Sequence, residues 1–198
     1  EELGTTFVPA VGHIESRKRW LLAERPQGTL VVDEDLDVEQ ELIAGVAYDR
    51  NEAKVTIVAV PDRPGAVAAI FGALADANIN VDMIVQNIAH DRAFTDVTFT
   101  VPRTELVRAR AVLEEARATI GFDRLIADES VVKVSVVGVG MKSHAGVAVT
   151  MFRALGERGI NIQAITTSEI KISVLIAEEY LELAVRVLHS AYGLDAAA

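Results

Sequence analysis

The stretch Lys54–Asn87 reads KVTIVAVPDRPGAVAAIFGALADANINVDMIVQN, and a related stretch, KVSVVGVGMKSHAGVAVTMFRALGERGINIQAITTS, runs from Lys133 to Ser168. Each copy contains an alternating apolar strand, a loop with glycine, an amphipathic helix that ends in NIN or GIN, and a second strand. The later copy has two extra residues in its loop. An internal repeat of this length predicts two structural units of the same kind.

Each copy is followed by one more strand and a second amphipathic helix. TDVTFTVP begins at Thr95 and EIKISVLI at Glu169, and both alternate as half-buried strands do. Apolar residues then recur at helical spacing, as Leu106, Ala109 and Leu113 do in the first copy. Each copy therefore predicts the element order βαββα.

The sixth element differs between the copies. DRLIADE, from Asp123, supplies it in the first copy, whereas the second copy ends in YGLDAAA, which is too short and too small for a strand. The apolar segment Glu41–Asp49 lies before the first copy, and we expect it to complete the second unit from outside. The predicted fold is α+β, with two ferredoxin-like βαββαβ units, the first inserted into the second, after an irregular N-terminal leader. The predicted limits are 1–40 for the leader, 53–128 for the first unit, and 41–52 with 129–198 for the second.

Composition narrows the class of protein. The chain has 198 residues, is 51% hydrophobic and carries a formal charge of −10, which suffices for one large or two small cores. It contains no cysteine, so disulfides and thiolate sites are excluded. No apolar run approaches the ~20 residues that cross a bilayer, and the start EELGTT does not read as a signal peptide. We therefore expect a soluble, cytoplasmic protein that does not bind membranes. Nucleic-acid binding is not expected either, since acidic and basic residues are interspersed.

The loop from Pro61 to Gly65 is the strongest candidate for ligand binding. Gly65 and the helix start leave backbone amides which, with the helix dipole, suit an anion such as an α-carboxylate. Asp62 lies beside them and is placed to receive an α-ammonium group, so the loop suits a free amino acid. The alternative is that Asp62 caps the helix and Pro64–Gly65 makes the turn. Met141 replaces Asp62 in the second copy, so equal sites are not expected.

Polar residues also follow the first helix of each copy, and they either line a pocket at an interface or face solvent. They are Asn80, Asp82, Gln86 and Asn87 in the first copy, and Asn161, Gln163, Thr167, Ser168 and Glu169 in the second.

No catalytic centre and no metal site are expected. The histidines, His13, His90, His144 and His189, lack metal-ligand spacing, and nucleophile-elbow, Walker and dinucleotide motifs are missing. The run Ser16–Trp20, SRKRW, either holds a phosphate or is a solvated charged face. The βαββαβ order also occurs in RNA-binding RRM domains, but KVTIVAV and KVSVVGV lack the aromatic residues that stack on bases.

These residues resemble a known family. DRNEAKVT, ALADANINVDMIVQN, TDVTFTVPR, GVGMKSHAGV and INIQAITTSEIKISVLI are similar to the regulatory region of aspartate kinase, and the resemblance runs from about Glu41 to Leu194. It implies a pair of ACT domains that bind threonine, lysine or both and feed back on a kinase that makes 4-phospho-L-aspartate. It also implies a homodimer through the ACT domains and an aspartate kinase catalytic domain or subunit as partner. No cofactor is implied in this chain, because ATP and Mg would bind to the kinase part.

The resemblance further assigns effector contacts, between the first unit of one chain and the second unit of another. The threonine contacts would be Asp62, Val67, Gln86, Asn161 and Ile162, to which the loop described above adds Gly65. The lysine contacts would be Asn80, Val81, Asp82, Val147, Ala148, Ser168 and Glu169.

The N-terminal leader resembles a different kinase. Residues Gly4–Glu34 resemble the end of the amino-acid-kinase domain of glutamate 5-kinase. An ACT-type module of another biosynthetic enzyme, such as a glutamate 5-kinase-like fusion, is therefore the alternative, and a catalytic transferase fragment is a further one. The Gly-rich nucleotide region and catalytic lysines of either kinase are missing here, so we expect no phosphorylation by this chain alone.

Overall fold

The structure, a computed structural model, describes residues 43–88, 93–138 and 146–196. In chain order the elements are β1 (Gly45–Asp49), β2 (Ala53–Pro61), α1 (Ala66–Asp76), β3 (Asp82–Ile88), β4 (Phe94–Val101), α2 (Leu106–Glu115), α3 (Arg117–Ile120), β5 (Arg124–Asp128), β6 (Val131–Val137), α4 (Gly146–Gly156), β7 (Ala164–Thr167), β8 (Lys171–Ala177) and α5 (Leu181–Ala191). Short 3-10 turns precede α2 and α5, at Arg103–Glu105 and Glu178–Tyr180. No helix of this part of the chain is long and apolar enough to span a membrane.

Two four-stranded antiparallel sheets form, with strand orders β3-β4-β2-β5 and β7-β8-β6-β1. Strand β1 pairs with β6, so that Gly45 lies opposite Val137 and Asp49 opposite Lys133. The segment before the first repeat thus holds the sheet position that β5 holds in the first sheet. We call β2–β5 with their helices the first repeat unit, and β1 with β6–β8 and their helices the second. The residue limits predicted for the leader and the domains stay predictions.

The helices cover one face of each sheet, as their spacing predicts. Ala66, Ile70 and Leu74 of α1 are buried against the first sheet, and equivalent residues of α4 are buried against the second. The ring of Phe71 packs edge-on against that of Phe99, with centroids 5.2 Å apart. Each sheet keeps a second face that carries no helix of its own unit.

Helices α1 and α4 end in the same way, which explains the sequences NIN and GIN that follow them. Asn78 and Gly159 adopt left-handed backbone angles, with φ of 55° and 70°, and Asn and Gly are the residues that do so at least cost. The amide of Ile79 then donates to the carbonyl of Leu74 at 2.9 Å, and the equivalent bond after α4 measures 3.0 Å. These bonds close the helix ends and direct each chain into its next strand.

The helix-free faces carry hydroxyl pairs at equivalent positions. Thr56 and Thr98 share a hydrogen bond of 3.0 Å between their Oγ1 atoms, and Ser135 and Ser173 share one of 2.8 Å between their Oγ atoms. Thr100 lies on the same face, is only 1% exposed, and its hydroxyl has no partner among the described residues.

We expect Thr100→Val to stabilise the protein by about 1 kcal/mol, because an unpaired buried hydroxyl costs about 1–3 kcal/mol. The repeat-equivalent residue is Leu175, since Lys54 lies opposite Thr100 as Lys133 lies opposite Leu175. Urea denaturation measures the change. Thr98→Val is the matched control and should destabilise by about 1 kcal/mol, because it removes a paired hydroxyl. A loss of stability in Thr100→Val would mean that its hydroxyl is hydrogen-bonded after all.

Candidate effector site

The loop before α1 is held in place by contacts outside the loop. The amide of Asp62 donates to the carbonyl of Ala93 at 3.0 Å, and Nη2 of Arg63 donates to the carbonyl of Thr119 at 3.3 Å. Gly65 is the N-cap residue of α1 with φ of 90°, which glycine adopts without strain, and no side chain caps the helix. The alternative in which Asp62 caps the helix is therefore wrong. Its side chain is exposed beside the helix start.

Gln86 lies toward the same edge of the first sheet. It is exposed on β3, opposite Val97 of β4. Both β2 and β3 run antiparallel to β4, so their carboxyl ends meet at one edge. Near that edge β2 has a bulge in which Ala59 has φ of 56° and its amide donates to Oδ1 of Asp96 at 2.9 Å. The first unit thus places Asp62, Gly65 and Val67 at its carboxyl edge, whereas Gln86 lies further back, level with Ile57 in the middle of β2.

The second unit presents an equivalent edge. Val147 and Ala148 lie at the start of α4, and Ser168 and Glu169 follow β7. The hydroxyl of Tyr192 donates to the carbonyl of Val147 at 2.6 Å, and burial raises the pKa of Tyr192 to about 12. The amide of Ser168 donates to the carbonyl of Lys171 at 2.8 Å and closes the turn between β7 and β8.

The turns after α1 and α4 lie at the opposite edges of their sheets, where the two units contact each other. Nζ of Lys133 on β6 donates to Oδ2 of Asp82 at 2.7 Å and also to Glu52. Asp49 lies within 3.8 Å of the same ammonium. Lys54 on β2, in turn, donates to Oε1 of Gln163. Asn80–Asp82 and Asn161–Gln163 are therefore interface segments within one chain.

Lys133, Asp82, Glu52 and Asp49 form what we call the Lys133 cluster, which is partly desolvated and strongly paired. The side chain of Lys133 is 14% exposed and that of Glu52 is 6% exposed. Burial alone would lower the pKa of Lys133, but the bonds to Asp82 and Glu52 outweigh it and raise that pKa. Burial would raise the pKa of Asp82, but hydrogen bonds from Lys133 and the amide of Met83 outweigh it and lower that pKa.

One chain brings together some of the residues in each predicted set but not all of them. Asp62 and Gly65 lie near the carboxyl end of β2, whereas Asn161 and Ile162 lie beside Lys54 near its amino end. Seven residues of extended strand separate these ends, which is about 20 Å. The lysine set is split in the same way, because Asp82 contacts Lys133 while Ser168 follows the far end of β7.

The sequence analysis did not single out Lys54, Lys133 or Glu52. Their signal was available: Lys54 and Lys133 occupy the same repeat position in otherwise apolar strands. A charged residue that recurs there needs a partner, because buried ammonium groups are costly when unpaired.

A separate cleft of about 440 Å³ lies on the second unit, between β1 and α5. Its lining consists of Tyr48, Arg50, Leu181, Glu182, Val185, Arg186, His189 and Asp195. None of the predicted effector contacts lines it. Nδ1 of His189 lies 3.2 Å from Oδ1 of Asp195, which gives this histidine a structural partner.

Several sequence predictions fall outside the described residues. They concern the leader with Ser16–Trp20, the second-copy loop with Met141, and the histidines His13, His90 and His144. Within the described ranges, no group of three or more His, Asp or Glu side chains is arranged to hold a metal ion.

Comparison with known proteins gives the family. ACT domain models match residues 54–121 and 134–192. A crystal structure of aspartokinase alpha and beta subunits contains a chain that is 52% identical, with a TM-score of 0.72; the match covers 76% of this chain and 99% of that one. The chain belongs to the aspartate kinase family. It is the regulatory ACT-domain region of such a kinase, so the two repeat units are ACT domains.

Further aspartate kinases show the same likeness. The regulatory subunit from Thermus thermophilus, solved ligand-free, is 40% identical with a TM-score of 0.72, over 76% of this chain and 98% of that one. E. coli aspartokinase III, solved with lysine and aspartate in its T-state, is 26% identical with a TM-score of 0.60, over 75% of this chain and 33% of that one. The aspartokinase of Pseudomonas aeruginosa is 55% identical over 173 residues, which are 86% of this chain and 42% of the relative. The chain thus spans about two fifths of the length of the curated relatives it matches.

Proposed function

We propose that this chain senses threonine, lysine or both for an aspartate kinase, and that the bound effector inhibits the formation of 4-phospho-L-aspartate. The observation that carries the proposal is the division of each candidate site between the two ACT domains. Each set combines the carboxyl edge of one domain with the turn after the first helix of the other. Repeat symmetry relates the two sets, so the fold offers two related but unequal sites.

A second copy of the chain completes both sites in this proposal. Within one chain the two parts of the first set lie about 20 Å apart, which is too far for threonine to touch both. In the second set the four residues of β7 separate the two parts by about 13 Å. In a homodimer, the turn at Asn161–Ile162 of one copy reaches the loop at Asp62–Gly65 of the other. The same operation brings Asn80–Asp82 to Val147 and Ser168.

The chemistry of each set matches a different amino acid. The first set has one carboxylate, Asp62, beside the amides at the start of α1, which suits the single ammonium and the carboxylate of threonine. The second set has two carboxylates, Asp82 and Glu169, which suits the two ammonium groups of lysine. Asp82 keeps 52% of its side chain exposed although Lys133 binds it. The E. coli relative was solved with lysine and aspartate in its T-state, which supports lysine as a candidate effector.

Inhibition follows from differential binding. An effector shifts the kinase toward an inactive arrangement by no more than the ratio of its affinities for the two states. The catalytic partner is an aspartate kinase domain or subunit, and ATP and Mg bind there and not to this chain. The beta-subunit likeness supports a partnership of this kind.

Calorimetric titration of the purified chain with threonine and with lysine tests the proposal. We expect heat with at least one of them, and we expect Asp62→Ala to weaken threonine binding by about 1.5–3 kcal/mol, because a charged hydrogen bond is lost. Asp76→Ala removes an exposed carboxylate at the other end of α1 and is the matched control. The absence of binding heat with both amino acids at millimolar concentration would contradict the proposal. A threonine affinity in Asp62→Ala equal to that of the wild type would contradict this site.

A further inference from the structure

The two ACT domains contact each other through residues that are equivalent in the repeat. Lys133 binds Asp82, and the equivalent residue Lys54 binds Gln163, the equivalent of Asp82. Met83 packs with Val131, Leu175 and its own equivalent Ala164 in a small apolar cluster. Such reciprocal contacts define an approximate twofold axis between the domains of a single chain.

One ion pair lies on that axis. Nη2 of Arg103 donates to Oε2 of Glu178 at 3.0 Å, and the two side chains are 32% and 33% exposed. Arg103 and Glu178 each begin the 3-10 turn that leads into α2 or α5, so they are repeat equivalents. Their backbones match as well, because the Arg103 amide donates to Asn51 at 3.4 Å and the Glu178 amide to Ser130 at 3.0 Å. A residue meets its own equivalent only on a twofold axis.

The charges of Arg103 and Glu178 distinguish a pair of unlike ACT domains from a pair of identical ones. Two first domains arranged on the same axis would place Arg103 against Arg103, and two second domains would place Glu178 against Glu178. Like charges in contact cost affinity and reject wrong partners. We propose that Arg103 and Glu178 make this surface selective for one first ACT domain and one second ACT domain, and against two of the same kind.

The Lys133 cluster supports the same selectivity. In the observed pair, Lys133 meets Asp82 and the buried Glu52. A pair of second domains would offer Gln163 and Val131 at the equivalent positions, so its Lys133 would keep only Asp49 of its own domain, 3.8 Å away. That pairing would leave an ammonium poorly compensated, which is strongly destabilising in a partly buried site.

The short connections keep the pairing within one chain. Only Arg50–Glu52 join β1 to β2, and only Glu129–Ser130 join β5 to β6. Two tethers of two or three residues raise the effective concentration of one domain at the other. The surface is therefore filled by the second domain of the same chain, and the outer edges stay available to a second copy.

Charge reversal with compensation tests the proposal and does not depend on any effector. Arg103→Glu and Glu178→Arg should each lower the melting temperature by roughly 3–6 °C, as a loss of about 1–2 kcal/mol does in a chain of this size. The double variant Arg103→Glu/Glu178→Arg should regain most of the loss, because it restores opposite charges. Charge reversals at the exposed residues Arg110 and Glu179 are the controls. They should change the melting temperature little and show no coupling.

An equimolar mixture of the two single variants separates pairing within a chain from pairing between copies. Pairing within the chain predicts no recovery in the mixture and no new species in light scattering. Recovery in the mixture would overturn it, because the first domain of one variant would then pair with the second domain of the other. A double variant no more stable than the sum of the single losses would overturn the role of the ion pair. Should a reversal prevent folding, Arg103→Gln, Glu178→Gln and their double give the same coupling.

Discussion

Replacing Lys133 with methionine is expected to destabilise the protein by about 3–5 kcal/mol, the usual loss when a buried ion pair loses one partner. The reason is Glu52, whose side chain is 6% exposed and would lose the ammonium that pairs with it. Guanidinium denaturation measures the change. Lys54→Met is the matched control: Lys54 occupies the equivalent position and lies 3.8 Å from Asp128, as Lys133 lies 3.8 Å from Asp49, but it binds the neutral Gln163 instead of Asp82 and Glu52. It should cost only about 1 kcal/mol, because no buried carboxylate loses its partner.

A second substitution should rescue the first. Val131 is the repeat equivalent of Glu52, so Glu52→Val introduces the apolar residue that the other domain already has at this position, and Lys133→Met/Glu52→Val removes both charges. Replacing both charges of a buried pair with apolar groups is often neutral. We expect the double variant to recover most of the lost stability. A double variant as unstable as Lys133→Met would show that Asp82, and not Glu52, depends on the ammonium.

The effect of Lys133→Met should also depend on pH. The pKa of Lys133 is raised above 10.5, so its contribution is present below that value and is lost as pH rises through the folded pKa. The pKa of Asp82 is lowered below 3.8, so its contribution is present above that value and is lost as pH falls through the folded pKa. The difference between wild type and variant should therefore be constant at neutral pH and shrink at both extremes. A difference that peaks near pH 4 would contradict this assignment.

Phe99→Ala is expected to destabilise the first ACT domain by about 3–5 kcal/mol, because it leaves a cavity in a close-packed core. Phe99 is fully buried and its ring packs against that of Phe71. The consequence should extend to β1 of the second domain. When the first domain unfolds, β1 and β6 are joined by a loop of ~80 residues, whose closure costs about 4 kcal/mol in chain entropy.

Hydrogen exchange followed by mass spectrometry measures this spread. In Phe99→Ala, amides of β1 should exchange faster than in wild type, while those of β8 should change less, because β8 pairs with its sequence neighbours β6 and β7. Val107→Ala is the control, since Val107 lies on α2 and is 79% exposed. Equal acceleration in β1 and β8 would mean that the two domains unfold as one unit.

Much of the fold could be predicted because the signals are local. The repeat, the strand alternation and the helical spacing depend on which residues are neighbours in sequence, and these fix the element types and order. The left-handed positions Asn78 and Gly159 could be read from the NIN and GIN words. The segment Glu41–Asp49 could be predicted as a strand that completes the second sheet, and in the structure Gly45–Asp49 pairs with β6.

The contacts between the domains could not be predicted, because they join residues far apart in sequence. Lys133 lies 81 residues from Glu52, and Arg103 lies 75 residues from Glu178. Nothing local in the sequence distinguishes an interface lysine from a solvated one; only packing decides which charges lose water and must find partners. Local sequence patterns are enough to indicate two ACT domains, and they predict which residues suit an amino acid. How the two domains face each other depends on the folded chain, because desolvation and charge pairing act across space and not along the sequence.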